Sequence, residues 1–509
     1  MLGFAVLFPV KTINDSVRRS LATLKQQTLD DWICCLIDET SDGSPSAALA
    51  GELHDSRIRQ APSGLKTAAL MINWALKNTD AEFILPLPER ILLDPWALER
   101  FAALFMKSRK AAAAYACYLE MDDDGKSKPV HLFPHEGAPH ERFDFGYVRV
   151  YRADRLREIG GFREELAFAA EYDVELKLCD KYTIGLVKKP LYTVEPAPSS
   201  PDTSPESAAS STLYSPGKGK LGGFSYVFYP PDLEAEITSV FQDMLRRRGA
   251  QIDHPTVAVK YPKRPYSVLA SVVIPVLNRA RFIGNAIERV LDGTFKDFEI
   301  IVVDNGSTDS TQDVVRGYIM RDARVRMIEQ RGPSIAYALN CGIRAARGKY
   351  ICQLDSDDEY TPGTLEKMMA HMESHPQCGL AISYYELMDE DRGKVEGVEP
   401  VTHKGYTRNQ ILRRDGAGAL RVFPKAVLEE MGLYDEENYG NFGEDYDMVL
   451  KVGEKHDVDR VHAVLYRYRR HADNTDVTRD PVMKIRNKNN ARLAALKRRQ
   501  KINRKLKKS

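Results

Sequence analysis

Short apolar runs and amphipathic stretches alternate along the second half of the chain. "SVVIPV" (271–276), "EIIVVD" (299–304) and "YICQLD" (350–355) are compact, β-branched and little interrupted by polar residues. Runs of that length fit strands buried on both faces. Between and after them, "FIGNAIERVLDG", "DSTQDVVRGYIMRD" and "GTLEKMMAHMESH" space their apolar residues three and four apart, as one face of a helix requires. That rhythm predicts an α/β fold of parallel strands joined by crossover helices.

The pattern is written twice. "AVLFPVKT" from Ala5 matches "VVIPVLNR" from Val272, and "ICCLIDETSDGS" from Ile33 matches "EIIVVDNGSTDS" from Glu299. "SGLKTAALMINWAL" corresponds loosely to "PSIAYALNCGIRAA", and "FILPLPERILLDPWAL" from Phe83 matches "YICQLDSDDEYTPGTL" from Tyr350. Late in each half, "EYDVELKL" from Glu171 answers "DYDMVLKV" from Asp445. Matches in one order with slowly drifting spacing indicate a duplicated domain. The chain then divides into a first α/β domain at 1–195, a Pro/Ser-rich linker with a helix at 196–267, a second α/β domain at 268–480 and a basic tail at 481–509. A length of 509 residues also exceeds what one ordinary core serves. The helix "DLEAEITSVFQDMLRRRGAQ" is expected to pack on one or both domains.

Composition narrows the classes. A formal net charge of +1 argues against a globally basic nucleic-acid binder. Seven scattered cysteines without a C-x-x-C pair suit a reducing compartment and offer no disulfide framework or zinc site. "MLGFAVLFPV" reads as a first strand rather than a leader, and no stretch reaches the roughly 18–20 apolar residues of a membrane span. The expectation is a cytoplasmic protein. Its tail carries a dozen Lys and Arg and no acid. The tail reads as solvated and partly helical or disordered, with a contact to a polyanionic acceptor or to anionic lipid at the inner membrane face as its functional alternative.

Chemistry gathers at strand ends of the second half, where ligands bind in open parallel sheets. In "VVDNGSTDS", Asp304 ends a strand, Gly306 permits a tight turn, and Ser307 to Ser310 offer helix-capping side chains. In "YICQLDSDDEY", Asp355, Asp357 and Asp358 crowd together, an arrangement that calls for a positive partner. Asp355 and Asp357, two apart, can address one hard divalent cation. An EF-hand loop is excluded, because Tyr360 stands where the required Gly belongs. In "NFGEDYDMVLKV", Glu444, Asp445 and Asp447 open a helix. "YRYRRHADNTD" adds Arg467, Arg469, Arg470 and His471, arginines suited to phosphate oxygens and an imidazole suited to a metal or a phosphate.

Taken together, "SVVIPVLNR", "VVDNGSTD", "ALNCGIRAARGKYICQLDSDD" and "GEDYD" resemble the family 2 glycosyltransferases of GT-A fold, over about 270 to 475. The first half looks like a weaker copy, so the resemblance implies two tandem GT-A, Rossmann-like domains. It further implies an inverting transfer from a nucleotide-sugar, usually a UDP-sugar, with Mn²⁺ or Mg²⁺. Carried over, Asp304 binds the base, Asp355 faces ribose and metal, Asp357 ligates the metal, and Asp445 is the catalytic base. Glu444 lies beside the donor, Arg467 and Arg470 serve the diphosphate, and His471 sits next to the metal. The acceptor is expected to be a glycan, a lipid-linked sugar or a protein, in glycan or cell-surface polysaccharide synthesis, with no nucleic acid. Asn305 departs from the family's usual Asp-Asp pair. In the first half, Pro88 and Arg90 replace Asp355 and Asp357, and "LYTVEPAP" has no histidine, while Asp38 and Glu171 survive. A cation site with an arginine for a ligand is reversed in charge, so the first domain is expected to be non-catalytic. The alternatives are a two-site polymerase or a nucleotide-sugar binder without catalysis. A nicotinamide oxidoreductase is disfavoured, because no G-x-G-x-x-G follows the first strand of either half.

Overall fold

The structure, a computed structural model, describes residues 3–11, 14–39, 54–196, 229–263, 265–395, 399–402, 405–414 and 418–508. Nearly all of the Pro/Ser-rich linker lies outside the described residues. The described chain divides into two compact units, residues up to 196 with helix Pro231–Arg247, and residues from Gly249 onward.

In the first unit, β1 (Phe4–Val10), β2 (Trp32–Asp38), β3 (Ile58–Gln60), β4 (Phe83–Pro86), β5 (Ala111–Ala116), β6 (Arg149–Arg152) and β7 (Thr183–Val187) form one sheet in the order β3-β2-β1-β4-β6-β5-β7. A small second sheet joins Ile91–Leu93, Tyr192–Val194, Tyr118–Met121 and Ser127–Val130. Helix α1 (Ala170–Leu178) carries the surviving acid, and α2 (Pro231–Arg247) packs against it. Arg163 clamps the two by reaching Asp243 at 3.1 Å and Asp173 at 3.3 Å. Glu236 of α2 accepts the backbone N–H groups of Ala167, Phe168 and Ala169.

In the second unit, β8 (Val268–Val276), β9 (Phe298–Asp304), β10 (Val325–Glu329), β11 (Gly348–Gln353), β12 (Glu359–Tyr360), β13 (Cys378–Met388), β14 (Arg421–Pro424) and β15 (Asp457–Arg469) form a sheet ordered β10-β9-β8-β11-β14-β13-β15-β12. The first seven places repeat the order of the first unit. Register repeats as well. Val10 faces Asp38 and Leu7 faces Pro86, as Val276 faces Asp304 and Val273 faces Gln353. The sheets are mixed rather than wholly parallel, because β6 and β14 run against their neighbours. Antiparallel pairing sets the first residue of β14, Arg421, beside Gln353 at the end of β11.

The helices α3 (Thr311–Arg321), α4 (Ile335–Ala345), α5 (Thr364–Ser374) and α6 (Glu444–Gly453) belong to this unit. The basic tail differs from its reading as a solvated segment. Residues Pro481–Leu506 are a helix, α7, packed on α6. Ala491, Ala495 and Leu496 are buried with Arg492 and Arg499, and Arg498 meets Glu454 at 2.9 Å and Asp447 at 3.2 Å. Long basic side chains bury their aliphatic stems, so charge alone does not keep a helix in water. As α7 lies on α6, so α2 lies on α1, and each repeat therefore closes with a helix. No helix among the described residues is long and apolar enough to cross a membrane. The seven cysteines are all unpaired.

Candidate active site

The turn after β9 is held from within. Asp304 is fully buried, and its carboxylate accepts from Gln312 Nε2 at 2.7 Å and from the Ser307 N–H at 3.3 Å. Gly306 adopts φ 91°, the left-handed conformation for which glycine is suited. Asp309 rather than Ser310 caps α3, accepting the N–H groups of Thr311 at 3.0 Å and Ala280 at 3.1 Å. Asn305 accepts the Gly332 N–H at 2.7 Å, which ties this turn to the entry of α4.

Beyond β11 the three acids separate by role. Asp358 is buried and accepts the Tyr466 hydroxyl and the Arg469 N–H, both at 2.7 Å, so it anchors the loop. Asp357 lies 2.9 Å from His471 Nε2 and 3.5 Å from Arg279 Nε. Burial opposes its ionisation, but the hydrogen bond to His471 and the charge of Arg279 outweigh it and hold the carboxyl below its usual value. Asp355 is pushed up to about 6, first by burial and then by Asp357, with Asp445 adding and Arg421 opposing. Asp355, Asp357, Arg421 and Asp445 therefore share one electrostatic neighbourhood.

At the start of α6, Gly443 takes φ 94°, and a Cβ there would lie 3.3 Å from Asn487 of α7. This sharp entry sets the acidic pair. Asp445 accepts Arg421 Nη2 at 2.6 Å and the Tyr446 N–H at 2.7 Å, and its side chain is 34% exposed, which leaves it open to a reactant. Glu444 is buried, its Oε2 has no hydrogen-bond partner, and its carboxyl is raised to about 8 by burial and by Asp445. Glu444 holds a proton that the unfolded chain releases near its ordinary value, so its contribution to stability falls as pH rises from that value to about 8.

Arg467 and Arg470, the residues expected at the diphosphate, both have partners within the protein. Arg467 is committed to Glu386 at 2.9 Å and approaches Glu359 at 3.6 Å, and Arg470 is buried with its guanidinium over Tyr468. Fully buried Glu359 requires such cations, and Arg469 and Arg392 each reach it at 2.8 Å. Sequence reasoning missed Arg279 and Arg421, single arginines whose partners appear only on folding. We expect Arg421→Met to lower kcat by about tenfold or more, because Asp445 loses the guanidinium that orients it. A wild-type kcat in this variant removes Arg421 from the site.

The first unit keeps one half of this arrangement. Arg149, first in β6, binds Glu171 of α1 at 2.5 Å, as Arg421 binds Asp445. Lys177 reaches Asp173 at 2.7 Å, as Lys451 reaches Asp447 at 2.7 Å. Arg90, in the place of Asp357, adopts φ 66° and donates to the Glu195 carbonyl at 3.3 Å.

Two carboxylates and an imidazole suit a hard divalent cation. Burial and Asp357 raise the carboxyl of Asp355, and a cation nearby would favour its ionised form. Among the described residues, however, the set with all three donors within 4.8 Å is His371, His375 and Asp459. Asp355 therefore stands off from the Asp357–His471 pair.

Residues 271–432 match the family model described as glycosyl transferase family 2. An uncharacterised glycosyltransferase of Rickettsia felis is 23% identical over 485 residues, covering 91% of this chain and 79% of its own. One from Rickettsia prowazekii is 29% identical over 221 residues, 42% of this chain and 67% of its own. Among solved structures, Staphylococcus aureus TarS 1–349 with UDP-GlcNAc is 19% identical at a TM-score of 0.35. The match covers 42% of this chain and 61% of that one.

Proposed function

Since residues 271–432 are a glycosyl transferase family 2 domain and the chain is a glycosyltransferase, we propose that it performs an inverting transfer from a nucleotide-sugar to an acceptor hydroxyl. The donor is a UDP-sugar. The observation that carries this reading is the arrangement at the carboxyl end of β11, with Asp357 against His471 on one side and Asp445 against Arg421 on the other.

The acceptor hydroxyl attacks the anomeric carbon on the face opposite the leaving diphosphate, and an oxocarbenium-like centre develops between them. Asp445, partly exposed, takes the hydroxyl proton. Arg421 fixes the position of that carboxylate. Asp304 holds the nucleotide base with acceptor capacity left over from Gln312 and Ser307. Asp357 and His471, with Asp355, would hold Mn²⁺ or Mg²⁺, which would supply Lewis-acid stabilisation of the leaving diphosphate. Arg279, beside Asp357, adds a fixed positive charge there.

The acceptor class is a glycan, lipid-linked or protein hydroxyl in glycan synthesis. A panel of UDP- and GDP-sugars, read as metal-dependent release of nucleotide with mass analysis of the acceptor, tests the reading. Release from a UDP-sugar, abolished by chelation, is expected, and release undiminished by chelation contradicts it.

The exposed face of α7 aligns Lys497, Lys501 and Lys505 four residues apart, with Arg504 and Lys508 adjoining. This stripe is the proposed peripheral contact with anionic lipid at the cytoplasmic face. The protein is expected to sediment with phosphatidylserine vesicles in low salt and to stay in solution with phosphatidylcholine vesicles. Equal sedimentation with both removes the electrostatic contact.

A further inference from the structure

We infer that His371, His375 and Asp459 form a second metal site, for a borderline transition ion such as Zn(II), far from the acid pocket. His371 and His375 are four apart on α5 and the residue after it, so both rings fall on one face. Asp459 lies near the start of β15, and α5 runs back along that strand. Thr364 donates to the Leu465 carbonyl at 2.7 Å, while His371 Nε2 lies 3.2 Å from Asp459 Oδ2. From Asp459 to Arg469 the strand climbs on the order of 30 Å, so this cluster sits at the opposite end of the sheet from His471.

The geometry is that of ligands awaiting an ion. The three donor atoms lie within 4.8 Å of one another, and the two imidazoles stack at 4.0 Å between centroids. Donors on one tetrahedral zinc, each at about 2.0–2.1 Å, stand roughly 3.3 Å apart. The His371–Asp459 separation of 3.2 Å is close to that value, and the more exposed His375 completes the set within 4.8 Å. Its Nδ1 lies 2.9 Å from the His371 carbonyl and 3.0 Å from Ser374 Oγ. A carbonyl only accepts, so Nδ1 carries the hydrogen and Nε2 keeps its lone pair for a metal. Two nitrogens and one carboxylate favour Zn(II), Co(II), Ni(II) or Cu(II) over Mg(II), and water completes the coordination. A bound ion ties the end of α5 to β15, the strand whose far end supplies Arg469.

The test is equilibrium dialysis of the full-length protein against Zn(II), with excess Mg(II) present to fill the acid pocket. Wild type and Asp357→Ala are expected to retain about one equivalent of zinc each. His375→Ala, an exposed substitution, is expected to weaken that binding at least about tenfold while leaving Mg-dependent nucleotide release unchanged. Cobalt(II) absorption gives an independent readout, with tetrahedral d–d bands in wild type and none in His375→Ala. Zinc retained equally by His375→Ala, lost only in Asp357→Ala, or absent from wild type overturns the assignment. In that event Asp459 serves only as the ion-pair partner of His371.

Discussion

Replacing Asp357 by Ala is expected to abolish metal-dependent binding of UDP and to lower sugar transfer by about 10²–10³-fold. Asp357 is the acid in contact with both His471 and Arg279. Its loss leaves two groups of positive or potentially positive character facing the place where the cation is needed. The full-length variant also tests the first unit. Pro88 and Arg90 stand where Asp355 and Asp357 do, so the first unit is expected to contribute no metal-dependent turnover of its own. Calorimetric titration of UDP with and without Mn²⁺, beside a nucleotide-release assay, reads both effects. Wild-type UDP affinity in the variant removes Asp357 from the donor site. Substantial metal-dependent release in it favours a two-site polymerase.

Asp445→Asn is expected to behave differently. Transfer falls by about 10²–10⁴-fold, while Mn²⁺-dependent UDP affinity stays at the wild-type level. The amide keeps the shape of the carboxylate and loses its capacity to take a proton. Because the defect lies in proton removal, it appears in kcat rather than in binding. Glu171→Gln, the matching change in the first unit, is expected to leave transfer unaltered even though Glu171 keeps its arginine. A normal kcat in Asp445→Asn, or a collapsed one in Glu171→Gln, reverses the roles of the two units.

Strands β8, β9 and β11 were legible because their β-branched runs admit few other structures. Strand β14 was not. Four residues that pair antiparallel between β11 and β13 leave no periodic trace, yet they deliver Arg421 to Asp445. The acidic partners of Arg467 were not legible for a related reason. In "YRYRR", alternation sends Arg467 and Arg469 to one side of β15, and that side faces buried Glu359. The acidic run around Asp355 hid a division of labour as well. Asp358 is spent on Tyr466 and the backbone, and Glu359 on arginines, so Asp355 and Asp357 alone of the four face the pocket's other charged groups. The packing of the helical tail was obscured by its charge, although Ala491, Ala495 and Leu496 mark a buried face.

The most direct measurement is anomalous diffraction from crystals of the full chain grown with Mn²⁺ and UDP. The account predicts a manganese peak bonded to Asp357 and His471, with the diphosphate against it and the base beside Asp304. A nucleotide bound away from these residues, with no peak between Asp357 and His471, contradicts it.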